Sequence, residues 1–186
     1  AYYLPEPGLT KEELALLSEL VSNLEFALEL QSKQEKLDYL ALYDPLTGLP
    51  NRTLFRERLT QALEAERRGG GAIALVLIDL ERFKAINDTM GQPVGDAVLQ
   101  TVGKRLQDAA GDIDRVARLG GNMFALMFPG ISGAEEVARR LEQNAAQVFG
   151  VPIRIEQQEI RIAAKAGIAV FPDDGADADA LFRNAE

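Results

Sequence analysis

The sequence predicts an α/β sandwich, a mixed central β-sheet flanked by helices, with a long helix ahead of it. Three observations carry that expectation. Residues 72–80 form a nearly unbroken apolar run with β-branched members, the pattern of a central strand covered on both faces. Segments with helical apolar periodicity alternate with such runs, as in βαβ-type units. A glycine pair, Gly120-Gly121, separates Val116-Ala117-Arg118 from Phe124-Ala125-Leu126-Met127-Phe128 and supplies the positive φ angles of a tight turn between two strands.

At the amino-terminal end, Thr10 and Glu13 form a capping-box pattern, after which Leu14, Leu17, Val21, Leu24 and Leu28 recur at steps of three and four along one face of a long helix. The seam lapses at Gln31 and Glu35 and returns at Leu37 and Leu40, which argues against a continuous tight coiled coil. Two readings stand: a helix packed on the rest of the chain, or a signalling helix that pairs with a second copy. The second is favoured, because so long a seam has no evident internal partner before Asp44-Pro45 breaks the helix. An amphipathic helix then spans 53–68 and ends at Gly69-Gly70-Gly71. The strand at 72–80 precedes a short helix at about 82–89 and a longer one at about 94–109, whose buried face is Val98, Val102 and Leu106. After the hairpin come a helix at 134–149, strands at 151–156 and 159–170 joined at Gln157-Gln158, and a last helix opening at 176–186. The chain thus divides into residues 1–43, a linker or signalling helix, and residues 44–186, the main domain.

Composition narrows the chemistry. A net charge of −9 argues against nucleic acid, whose binders gather Lys and Arg on one face. The basic pair Arg67-Arg68 reads as a solvated helix end. Cysteine and histidine are absent, which removes disulfides, thiolate nucleophiles, imidazole bases and His- or Cys-ligated zinc, so that any metal would be oxygen-bound. The apolar runs are too short for a membrane span, and the first residues, with Pro5, Pro7 and Gly8, lack a signal-peptide pattern. A cytoplasmic setting with no membrane contact by this segment fits best.

Asp79 turns this layout toward chemistry. It sits at the carboxyl end of the most buried strand, where open α/β sheets place their ligand sites. Two readings stand: a cap for the helix beginning near Arg82, or one half of a divalent-cation site whose second carboxylate would come from the hairpin.

Asp44-Pro45-Leu46-Thr47-Gly48-Leu49-Pro50-Asn51-Arg52, then Asp79-Leu80-Glu81-Arg82-Phe83-Lys84-Ala85-Ile86-Asn87-Asp88, then Gly91, Gly95-Asp96 and the Gly-Gly hairpin resemble the GGDEF domain of bacterial diguanylate cyclases. Residues 166–175 resemble that family's closing strand and turn, so the resemblance covers everything from Asp44 onward. It implies a palm-like nucleotidyl cyclase fold that binds one GTP per subunit, two facing subunits joining two GTP into cyclic di-GMP. By position, Asp79 and the Leu80 backbone carbonyl would hold Mg²⁺, Phe83 and Lys84 would lie along the triphosphate, and Asn87 and Asp96 would read the guanine edge. Taken singly, each has a plain alternative: helix-terminal hydrogen bonding for Asn87 and Asp96, a solvated charge for Lys84, and core packing for Phe83.

The departures decide the expected activity. The signature reads Gly120-Gly121-Asn122-Met123-Phe124, with an amide and a thioether where the family carries two acids. A unit charge acting on another at about 4 Å in an effective dielectric near 20 is worth ~4 kcal/mol; even half of that exceeds a tenfold rate effect. Asp79 alone cannot build a two-metal clamp, so Mg²⁺ is expected to be weak or absent. The family's inhibitory product site, an Arg-x-x-Asp, reads Gly111-Asp112-Ile113-Asp114 here, without the arginine that would grip a phosphate. Gln92 stands where the family often has histidine. Residues 181–186 look like the start of the family's last helix, which suggests a piece of a longer protein; domains of this degenerate kind commonly precede an EAL phosphodiesterase domain. Residues 9–30 resemble, more weakly, the closing helix of a GAF sensor domain. The expectation is a regulatory module that binds GTP or pairs as a homodimer through its first helix. The alternatives are an active diguanylate cyclase with Asn122 as a neutral ligand, and a scaffold that binds no nucleotide.

Overall fold

The structure, a computed structural model, describes residues 11–186. The capping box expected from Thr10 to Glu13, and the seam's first member Leu14, lie outside the residues whose side chains are described. Two compact units divide between Leu40 and Ala41.

The first unit is helical. Helix α1 (Lys11–Leu42) runs unbroken for 32 residues. It passes through the polar interruption of its seam because turn-to-turn contacts bridge that stretch: the Gln31 amide donates to Glu35 at 2.8 Å, the Gln34 amide to Asp38 at 2.9 Å, and Lys33 pairs with Glu29 at 2.8 Å. The seam residues Leu17, Val21, Leu24 and Leu28 are all exposed, as are Leu37 and Leu40. The helix stops at Leu42, just ahead of Asp44-Pro45, as the proline predicts.

The second unit opens with a turn over residues 44–50 and α2 (Arg52–Gly69), whose first turn is capped by the Asn51 carboxamide oxygen accepting from the Thr53 and Leu54 N–H groups at 3.0 and 3.1 Å. Strand β1 (Ala72–Leu80), α3 (Phe83–Met90), α4 (Gln92–Ala110), a 3-10 turn (Ile113–Arg115), β2 (Val116–Gly120) and β3 (Met123–Ile131) follow. Helix α5 (Ala134–Phe149), the short strands β4 (Ile153–Ile155) and β5 (Gln158–Ile160), β6 (Ala164–Phe171) and α6 (Ala178–Ala185) complete the order. The strand expected at 159–170 is two strands, because β5 turns back onto β4 in a separate two-stranded hairpin before β6 joins the main sheet.

The main sheet has the order β2-β3-β1-β6. Helices flank it as expected, but each of its pairings is antiparallel, where a mixed sheet was expected. The reason is the hairpin. The α3–α4 crossover leaves β1 and β2 pointing the same way, and the turn at Gly120-Gly121 then folds β3 into the place between them.

Both faces of β1 are covered. Ile73, Leu75 and Leu77 pack with Phe55, Leu59 and Leu63 of α2 and Leu181 and Phe182 of α6, where the Phe55 and Phe182 rings meet edge to face at 6.3 Å. Ala74, Val76, Ile78 and Leu80 pack on the other side with Val98, Leu99, Val102 and Leu106 of α4 and with Phe124 and Leu126 of β3. That two-sided burial is why the strand reads as a continuous apolar run although its neighbours are antiparallel. Asp79 is its single exposed residue.

Removing the ring that joins α2 to α6 leaves a cavity that neither helix can close. Phe55→Ala is expected to destabilise the chain by about 3–5 kcal/mol, read as a lowered urea midpoint at unchanged slope.

Candidate functional site

The hairpin apex lies beside the carboxyl end of β1. Register sets this: Ile78 faces Phe124 and Asp79 faces Met123 on β3, while Asp79 faces Lys165 on β6. The turn uses the backbone freedom of both glycines, with φ of 117° at Gly120 and 55° at Gly121. The Leu80 N–H donates to the Asn122 carbonyl at 3.2 Å.

A cleft of about 450 Å³ opens here, lined by Asp79, Leu80, Glu81, Arg82, Phe83, Lys84, Asn122 and Lys165. Inside it the Asn122 carboxamide nitrogen donates to Asp79 Oδ1 and, at 2.8 Å, to the Leu80 carbonyl. Asp79 therefore does not cap α3, whose amino-terminal position is Arg82 with no side-chain cap. Lys165 pairs with Glu81 at 3.4 Å on the rim.

Asn87 and Asp96 stand further along, on the packed pair α3 and α4. The Asn87 Oδ1 atom is buried without a hydrogen-bond partner. It lies against Gly95, where a Cβ would sit 1.8 Å from that oxygen, so a larger residue immediately before Asp96 would have to displace the Asn87 side chain. Asp96 is half-buried near the start of α4. The cleft at Asp79 brings together Asp79, Leu80, Phe83, Lys84 and Asn122; Asn87 and Asp96 are not among its lining residues.

Two side chains missed by sequence reasoning hold the apex. The Arg118 guanidinium donates to both Asp44 carboxylate oxygens at 2.9 Å and to the Gly121 carbonyl at 2.7 and 3.3 Å. The pair is largely buried, with side-chain exposures of 11% and 15%. Asp44 also accepts from the Thr47 N–H and hydroxyl. Burial by itself would raise the Asp44 pKa; hydrogen bonds from Thr47 and Arg118, together with the Arg118 charge, outweigh it and hold the carboxyl below the usual aspartate range. No local pattern could have joined these residues, which are 74 positions apart.

The "Diguanylate cyclase, GGDEF domain" family model matches residues 41–186. The chain belongs to the GGDEF family. It is 36% identical over 85% of its length to a signalling protein of Caulobacter vibrioides, and 36% identical over 92% to the bifunctional diguanylate cyclase/cyclic di-GMP phosphodiesterase MucR of Pseudomonas aeruginosa. It spans only 20% and 25% of those two proteins' own lengths. Among solved structures, the coiled coil and GGDEF domain of DgcB from Caulobacter crescentus, in complex with c-di-GMP, matches with a TM-score of 0.72 at 28% identity, covering 92% of this chain and 90% of that one.

GGDEF domains generally use Mg²⁺, an ion held through carboxylate and other oxygen ligands. The residues present do not fit it. Of the oxygens lining the cleft, Asp79 Oδ1 and the Leu80 carbonyl already accept from the Asn122 amide, the Met123 side chain offers no oxygen, and no group of three or more acidic side chains that could hold a metal occurs among the described residues. Gly111, which the resemblance sets at the arginine of the product-site motif, closes α4 at φ 69°, a backbone conformation that disfavours an arginine. Asp114 of that motif pairs instead with Arg58 of α2 at 2.7 Å. No described helix is long and apolar enough to cross a membrane.

The Asp44–Arg118 pair generates a prediction with a defined sign. A carboxyl whose folded pKa lies below its unfolded value contributes stability that is complete above about pH 3.9 and is lost as pH falls through the lower folded value. Asp44→Asn is therefore expected to cost roughly 2–4 kcal/mol at neutral pH. Its deficit relative to the unsubstituted chain should shrink in unfolding titrations carried below that pH.

Proposed function

We propose that this chain is a regulatory GGDEF module that holds GTP without converting it, and that relays a signal from its first helix to a neighbouring output domain. One observation carries the reading: at the hairpin apex a neutral amide donates to Asp79 and the Leu80 carbonyl, and the reading places there the negatively charged oxygen that the reaction needs. Phosphoryl transfer from one nucleotide to another depends on electrostatic stabilisation of the attacking and leaving oxygens. A neutral carboxamide and a thioether supply neither metal-holding charge nor a base.

The nucleotide half of the proposal assigns Asn87 and Asp96 to the guanine edge and Phe83 and Lys84 to the triphosphate. The unpaired, buried Asn87 oxygen supports it, since a buried acceptor without a partner is costly unless a ligand donates to it. Pairing of two copies is assigned to α1. Its exposed leucine seam supports this, as does the coiled coil named for the DgcB structure. An EAL-type output domain, in a longer protein with a GAF-type sensor ahead of α1, accords with the two activities named for MucR, of which this chain matches a quarter.

Calorimetric titration with GTP tests the nucleotide half; heat at micromolar to millimolar GTP is expected, with no cyclic di-GMP by chromatography after prolonged incubation. Brisk production of cyclic di-GMP by the unaltered chain would establish the cyclase alternative. The absence of heat at any concentration would leave a scaffold. Joint substitution Asn122→Asp and Met123→Glu is expected to raise turnover from background by at least about tenfold. Light scattering of the Leu17→Asp, Leu24→Asp double variant should report half the mass of the unaltered chain, and an unchanged mass would count against pairing through α1.

A further inference from the structure

Two oxygens of the cleft, Asp79 Oδ1 and the Leu80 carbonyl, belong to consecutive residues at the end of β1, and both accept from one atom, the Asn122 carboxamide nitrogen. Its orientation follows from chemistry. A carboxylate and a peptide carbonyl are both acceptors without a proton, so turning the amide over would set its oxygen against two others. The –NH₂ group therefore directs positive character into the same pair of oxygens that a divalent ion would draw together. Unlike an ion, it brings no net charge and holds its position covalently, through a hairpin that Arg118 clamps at Gly121.

We infer that the Asn122 carboxamide stands in for the cation, so that the cleft receives the phosphates of a nucleotide without a metal ion. The inference rests on the reading of this cleft as a nucleotide pocket. Arg82 and Lys84 line the cleft with Asn122 and are the groups left to meet an anion directly, beside Lys165, which pairs with Glu81 on the rim. Asp79 Oδ1 is occupied by the amide, a donor of the protein itself. An acid at position 122 would reverse this, setting a second carboxylate against Asp79 and the Leu80 carbonyl and making a cation necessary to hold them together.

Two measurements on the whole chain test the inference. In calorimetric titration, GTP is expected to bind the unaltered chain with the same affinity, within about twofold, in EDTA and in Mg²⁺; Asn122→Asp should bind it about tenfold or more tightly with Mg²⁺ than without. Mn²⁺ added without nucleotide should leave the amide resonances of Leu80, Asn122 and Met123 sharp in the unaltered chain, at concentrations that broaden the corresponding signals of Asn122→Asp. GTP binding by the unaltered chain that requires Mg²⁺ overturns the inference while leaving the nucleotide reading intact, and so does Mn²⁺ broadening at these amides. Absence of heat in both buffers overturns the nucleotide reading and the inference with it; the Mn²⁺ experiment then separately reports whether the amide holds the cation's place. Should Asn122→Asp fail to fold, the comparison of EDTA with Mg²⁺ on the unaltered chain decides alone.

Discussion

The site depends on the pairing register of β1 with β3. With Ile78 opposite Phe124 and Asp79 opposite Met123, the Phe124 ring is fully buried and the glycine turn falls beside the last residues of β1. A slip of one residue would drive that ring toward the opposite face of the sheet and carry the Asn122 amide away from Asp79 and the Leu80 carbonyl. Hydrophobic packing thus fixes a polar contact. The buried alternation along β3 gives the register its strength, and the two glycines keep the turn short enough to use it.

The apex is also held from its other side. Arg118 joins the Gly121 carbonyl to Asp44, so the segment that follows α1 and the tip of the hairpin share one guanidinium. Fork-shaped donation to a carboxylate and a carbonyl is geometrically demanding, and at low exposure it resists screening. The hairpin is a braced element, which suits a side chain that must hold two oxygens at hydrogen-bond distance.

Membership of the GGDEF family describes the scaffold, and the scaffold alone does not specify the reaction. The sheet and the flanking helices belong to that shared framework. At the apex stand an amide, Asn122, and a thioether, Met123. Both side chains are half-buried and stand outside the buried core.

Much of this was legible before any coordinates. Strand β1 and helix α5 have the limits their apolar patterns predicted, and the Gly120-Gly121 turn joins the two strands it was expected to join. These features are local: periodicity, turn chemistry and the need to cover an apolar strand on both faces act over a few residues. The direction of the strands, the separate β4–β5 hairpin, the Arg118–Asp44 clamp and the direction of the Asn122 amide were not legible. Each depends on which distant segment arrives beside which, and one linear sequence holds no signal for that. The sequence by itself determined which elements form and which charges the apex lacks; tertiary packing decided what the remaining amide touches, because only the assembled sheet brings residue 122 against residues 79 and 80.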